Sequence, residues 1–182
     1  MINTEHTPNP DTLKFLPGKK VSEIGPVEFI KGDKSIKVYL AQKILSLEGT
    51  VMVFFGEDFI TVKKEKDFKW EDLKHGIISE INDYYSKGND IIIKKETNKS
   101  KSKSKESDET INKINEVLDQ KIRPAVARDG GDITFRSFKD GIVTVELKGS
   151  CSGCPSSLMT LKQGVQNLLC HYIPEVKSVK AV

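Results

Sequence analysis

The chain has 182 residues, a formal net charge of +3 from 29 basic and 26 acidic residues, and 37% hydrophobic content. That length fits one large or two small domains, and so mild a charge gives no ground for a nucleic-acid-binding protein. No apolar run approaches the roughly 18–20 residues of a membrane span.

The first residues, Met1-Ile2-Asn3-Thr4-Glu5-His6-Thr7-Pro8, have neither the basic nor the apolar region of a secretory signal, and they lack the Arg-rich, acid-free character of a transit peptide. With only three cysteines, reduced thiols in a cytosol-like compartment are expected. A bacterial cytoplasm or a mature organelle-matrix form would fit, and the bacterial cytoplasm is the favoured expectation.

Along the first unit, residues 1–93, His6 sits in a Pro/Asn-rich start and reads as a turn residue rather than a ligand. Thr12 to Leu16 alternates like a strand and stops at Pro17-Gly18, and Val27 to Ile30 is a second short strand. Ser35 is placed to cap a helix reaching Leu47, with Ile36, Tyr39, Leu40, Ile44 and Leu47 at helical spacing. Val51 to Phe55 and Phe59 to Val62 flank Gly56-Glu57-Asp58 as a hairpin. A helix from about Lys69 puts Leu73, Ile77, Ile78, Ile81 and Tyr85 on one face and ends near Gly88.

Residues 94–108 hold six Lys, three acids and no aliphatic or aromatic side chain. Such a segment buries too little surface to offset its ordering entropy, so a flexible tether is expected ahead of the other reading, a basic patch for nucleic acid or an acidic partner.

The second unit, residues 109–182, begins with an amphipathic helix through Ile111, Ile114, Val117, Leu118 and Ile122, which Pro124 should kink by depriving the Gln120 carbonyl of its donor. Gly130-Gly131 ends it; Asp129 to Asp132 reads as a helix stop and strand start. Strands at Ile133 to Phe138 and Ile142 to Leu147 join through Asp140-Gly141, a strong hairpin signal. A helix from Pro155 or Ser156 carries a stripe of Leu158, Leu161, Val165, Leu168, Leu169 and Tyr172, and a strand closes the chain after Pro174. The expected fold class is α/β (α+β): two small two-layer domains, the second ordered helix-strand-strand-helix-strand.

The chemistry concentrates in Gly149-Ser150-Cys151-Ser152-Gly153-Cys154-Pro155, between a strand and a helix. A helix N-terminus has unpaired N–H groups and positive dipole character, which favour thiolates, and Pro155 suits the first helical position. The two glycines let the backbone close around sulfur. A tetrahedral metal or an iron–sulfur cluster normally takes four ligands, and the only other cysteine is Cys170.

Four readings compete. Two chains could each give Cys151 and Cys154 to one [4Fe–4S] cluster on a two-fold axis. The pair could be a dithiol–disulfide oxidoreductase centre, although little chain follows it for a thioredoxin-like unit. Cys151, Cys154, Cys170 and His171 could bind zinc, although neighbours on a helix point about 100° apart. Or the two are ordinary cysteines in a tight turn. Cys170 reads as a spare, semi-exposed thiol. Arg136, Lys148 and Lys162 could offset cluster charge, or be surface solvation. No Ser/His/Asp set, phosphate loop or paired-carboxylate pattern stands out.

Ile122 to Asp132, Val145 to Ser157 and Pro174-Glu175-Val176 together resemble the C-terminal domain of NifU-like proteins. Thr7 to Phe15 and Val53 to Val62 resemble the accessory N-terminal domain of Nfu-type proteins. The resemblance implies a non-enzymatic iron–sulfur cluster carrier or scaffold. In that family two protomers share a [4Fe–4S] cluster through the CxxC cysteines, here Cys151 and Cys154, and pass it to apo-proteins. Ligand count alone also admits [2Fe–2S]. The implied partners are a second copy on cluster binding, upstream assembly proteins and apo iron–sulfur recipients, with no nucleic acid and no membrane.

Overall fold

A computed structural model describes residues 2–94, 109–152 and 155–182, the side chains of 155–157 excepted. The tether expected over 94–108 lies, apart from exposed Lys94, outside the described residues. The described chain falls into two compact units, each of mixed α+β structure.

In the first unit β1 (Asn3–His6), β2 (Thr12–Leu16), β3 (Val27–Ile30), α1 (Tyr39–Ser46), β4 (Thr50–Phe55), β5 (Ile60–Lys64) and α2 (Trp70–Ser86) follow in chain order. The sheet order is β1-β2-β5-β4-β3, antiparallel throughout. Leu13, Phe15, Val53, Phe55, Ile60 and Val62 form one core with Leu40, Ile44, Leu73, Ile77 and Ile81 of the helices. At the far end Ile92 and Ile93 donate to the Val21 carbonyl, both at 3.1 Å, so the unit's last residues are stitched to its early ones.

Three expectations change here. His6 is a strand residue facing Leu13 in register, not a turn residue. Its strand is short, polar and at the sheet edge, so it lacks the apolar alternation that marks a half-buried strand. Ser35 does not cap α1: its N–H and hydroxyl both bond Asp33 Oδ1, at 2.8 and 2.6 Å, closing a local turn that competes with helix entry. The same bonds, the hydroxyl's first, hold the Asp33 carboxyl below its ordinary range. The helix therefore starts later, and its buried face is Leu40, Ala41, Ile44 and Leu45, with Tyr39 exposed.

The second unit runs α3 (Glu109–Val117), a π-helical turn (Leu118–Ile122), α4 (Arg123–Arg128), β6 (Gly131–Lys139), β7 (Ile142–Gly149), α5 (Pro155–Tyr172) and β8 (Ser178–Ala181). The sheet order is β6-β7-β8, with β6 antiparallel and β8 parallel to β7. Along β7, Val143, Val145 and Leu147 are buried, alternating with more accessible neighbours, and they share a core with Ile114, Leu118, Val126, Val165, Leu169 and Ile173.

Pro124 does more than kink the first helix. Ile114, Leu118, Ile122 and Val126 are all buried at four-residue steps. On a regular helix such a row drifts by about 40° per step. The wider π turn, closed by Arg123 N–H on the Leu118 carbonyl, absorbs that drift, and α4 restarts with Pro124 in its first turn, where a missing donor is harmless.

Asp140-Gly141 turns the hairpin as expected, with φ of 54° and 81°. A bulge at Arg136 between the paired Phe135 and Ser137 resets the alternation, so Phe135 and Phe138 both pack against the core. On α5 the deeply buried positions are Val165 and Leu169. Tyr172, expected in the stripe, is half-exposed at the helix end, and Ile173 beyond it takes the buried place.

Candidate functional site

The cysteine segment begins where β7 ends. Gly149 pairs with Gly131 across the sheet and has φ of 69°, a conformation that favours glycine. Its carbonyl accepts from the Ser152 amide at 3.1 Å and the Ser152 hydroxyl at 2.8 Å, so the chain turns back on itself around Cys151. Ser150 fastens this turn to the α4–β6 junction: its amide donates to the Gly130 carbonyl at 3.2 Å, and its hydroxyl donates to the Asp129 carbonyl.

Cys151 is 5% exposed and belongs to the core cluster of the second unit. Its sulfur lies over Gly131. A Cβ at that position would sit 2.6 Å from the Lys148 carbonyl oxygen and 2.7 Å from Cys151 Sγ. Gly131 is thus required by close approach, and the Asp129 to Asp132 stretch forms the floor of the site as well as ending a helix. Ser150 Oγ is 3.9 Å from the same sulfur.

That floor is held from below. Arg123 donates from Nε to Asp132 Oδ1 and from Nη2 to Asp132 Oδ2, each at 3.0 Å, a two-pronged pair on a buried carboxylate. It also donates from Nη1 to Asp119 Oδ1 at 3.0 Å. The hydrogen bond to Asp132 raises the Arg123 pKa above its ordinary value, against the opposing effect of burial. None of these three residues is a cysteine neighbour in sequence. The signal available was the paired glycines of Asp129 to Asp132, flanked by acids.

Cys154 and Gly153 lie outside the described residues. Cys170 is half-buried against the core cluster. Of the cations considered for balancing cluster charge, Arg136 pairs with Glu146 and Lys148 lies 3.7 Å from the same carboxylate. Lys162 instead borders a groove of about 580 Å³ with Leu147, Ser152, Leu158, Met159 and Lys180. Among the described residues, no group of three or more His, Cys, Asp or Glu side chains is arranged to hold a metal ion.

Residues 114–180 match the family described as NifU-like domain, and residues 2–88 match the one described as scaffold protein Nfu/NifU N terminal. A human protein, the mitochondrial NFU1 iron-sulfur cluster scaffold homolog, is 45% identical over all of this chain and 71% of its own length. The chain belongs to the Nfu-type family of NifU-like proteins. Mitochondrial NifU-like protein 4 of Arabidopsis thaliana is 44% identical, over 98% of this chain and 65% of its own length. A solution structure of a NifU-like protein from Saccharomyces cerevisiae is also similar, with 27% identity, a TM-score of 0.48, and coverage of 53% of this chain and 86% of that one.

These Nfu-type relatives correct the expected location. The human, Arabidopsis and Drosophila proteins are all named mitochondrial, which points to mitochondria rather than a bacterial cytoplasm. The expectation rested on the first residues alone.

Proposed function

We propose that this chain is a scaffold or carrier in iron–sulfur cluster assembly, that Cys151 and Cys154 are its cluster ligands, and that two protomers hold one [4Fe–4S] cluster between them. Family membership supports the general role. The observation that carries the finer reading is the position of Cys151, in a tight turn built for it by Gly131, Gly149 and Ser150 at the entry to α5. Two thiolates from one chain leave half of a cluster's ligand set to be filled, and a second copy fills it with the same two residues.

The cluster is cargo. It arrives from upstream assembly proteins and leaves by ligand exchange. A recipient thiolate takes each iron site as a thiolate of this chain departs, so no electron need change hands and no small substrate is turned over. The positive end of α5, the longest helix of the second unit, favours the departing thiolate and keeps it ready for the next cluster. The first unit, carried on the same chain, raises the local concentration of recipients.

Transfer to an apo-aconitase-type acceptor tests this. Cys154→Ala is expected to abolish cluster retention and transfer, and Cys170→Ala to leave both intact. Loss of the cluster in Cys170→Ala would refute the ligand assignment. A chain that takes up no iron but shuttles reversibly between dithiol and disulfide would be the oxidoreductase instead.

A further inference from the structure

We propose that Arg123 is the positioning residue for Cys151: its ion pair with Asp132 fixes the strip on which the sulfur rests and keeps the thiol sheltered until cargo arrives. The contacts run in one line. The guanidinium grips both oxygens of Asp132. Asp132 is bonded in sequence to Gly131, over whose Cα the Cys151 sulfur sits. The strip continues to Gly130 and Asp129, whose carbonyls take the two Ser150 bonds. In register, Gly131 faces Gly149 and Asp132 faces Lys148, so the strip also sets the end of β7 from which the cysteine turn departs.

Arg123 stands where three elements meet. It follows the π turn, opens α4, and reaches both Asp119 within the turn and Asp132 at the start of β6. π turns recur at functional sites because they redirect a side chain that a regular helix would aim elsewhere. Here the redirected groups span the junction beneath the cysteine. A planar fork is needed, since a lysine carries the charge but cannot hold both carboxylate oxygens in plane. Asp132 is nearly buried, so the pair is poorly screened and firm, while the guanidinium keeps a third of its surface in water.

The inference rests on Cys151 being a cargo ligand, but its test does not. The reduced full-length chain, without iron, is treated with iodoacetamide, and the modification of each cysteine is followed by peptide mass spectrometry. In the parent, Cys151 is expected to react at least about tenfold more slowly than half-buried Cys170, because a buried thiol reacts only through local opening. Arg123→Lys is expected to speed Cys151 about tenfold or more and leave Cys170 unchanged. Asp119→Ala, which cuts only the exposed branch, is expected to change neither. If Arg123→Lys fails to fold by circular dichroism, Asp132→Asn, which keeps shape and removes charge, carries the same expectation. A folded variant in which Cys151 stays as sheltered as in the parent, even with a lowered melting temperature, would assign Arg123 a structural role only and overturn the proposal. Failure of the cluster assignment would instead appear as no iron uptake by the parent, whatever the alkylation rates.

Discussion

At the scale of single residues the site depends on what is missing from Gly131. Its neighbours, the Lys148 carbonyl and the Cys151 sulfur, occupy the space a methyl group would need. Gly131→Ala is therefore expected to push the cysteine turn off its floor, costing about 1–3 kcal/mol as overpacking does. Chemical denaturation would read the cost, and iron retention after reconstitution should fall in the same variant. A second residue offers the opposite case. The Tyr85 hydroxyl is buried with no hydrogen-bond partner among the described residues, and burial, then the neighbouring Tyr84, push its pKa up to about 12. The phenol is favoured in the folded state, so its contribution is complete below pH 10 and is lost as pH climbs toward 12. Tyr85→Phe is expected to be neutral or stabilising at pH 8 and to lessen the alkaline loss of stability, as urea titrations at pH 8 and pH 11 would show. A variant less stable than the parent at pH 8 would mean that the hydroxyl has a partner.

At the scale of elements, the parts legible in the sequence were those whose signals are local. Asp140-Gly141 carries its own turn chemistry, and Leu73, Ile77 and Ile81 repeat at helical spacing, so the hairpin and α2 follow from neighbours along the chain. The pair Cys151 and Cys154 is a local signal of the same kind, and its ligand role is the proposal made above. What could not be seen needed tertiary partners. The strand Asn3–His6 is polar and owes its conformation to β2. The role of Asp129 to Asp132 exists only because β7 brings the cysteine turn against it. The π turn needs both Pro124 and a row of buried residues at four-residue steps. That turn has a measurable consequence: Leu118, nearly fully buried there, should cost about 2–5 kcal/mol when replaced by Ala. Because the turn leads into Arg123, the variant should also unsettle the cysteine site. A loss below 1 kcal/mol in urea denaturation would contradict this packing.

At the scale of the whole molecule, the described chain holds two separate cores, one gathered around Phe15, Phe55 and Ile77 and the other around Ile114, Val145 and Leu169. Each core is closed on its own elements, so calorimetry of the reduced chain is expected to resolve two transitions, only one of which shifts when Gly131 is replaced. A single cooperative transition would contradict two independent units. The central claim concerns something larger than one chain: that one copy offers half of the sulfurs a cluster needs. Oxygen-free reconstitution followed by sedimentation with iron and sulfide quantitation tests it most directly. The expected product is a species of twice the chain mass with about two irons and two sulfides per chain. A monomer carrying a complete cluster, or a reduced chain that takes up no iron, would contradict it.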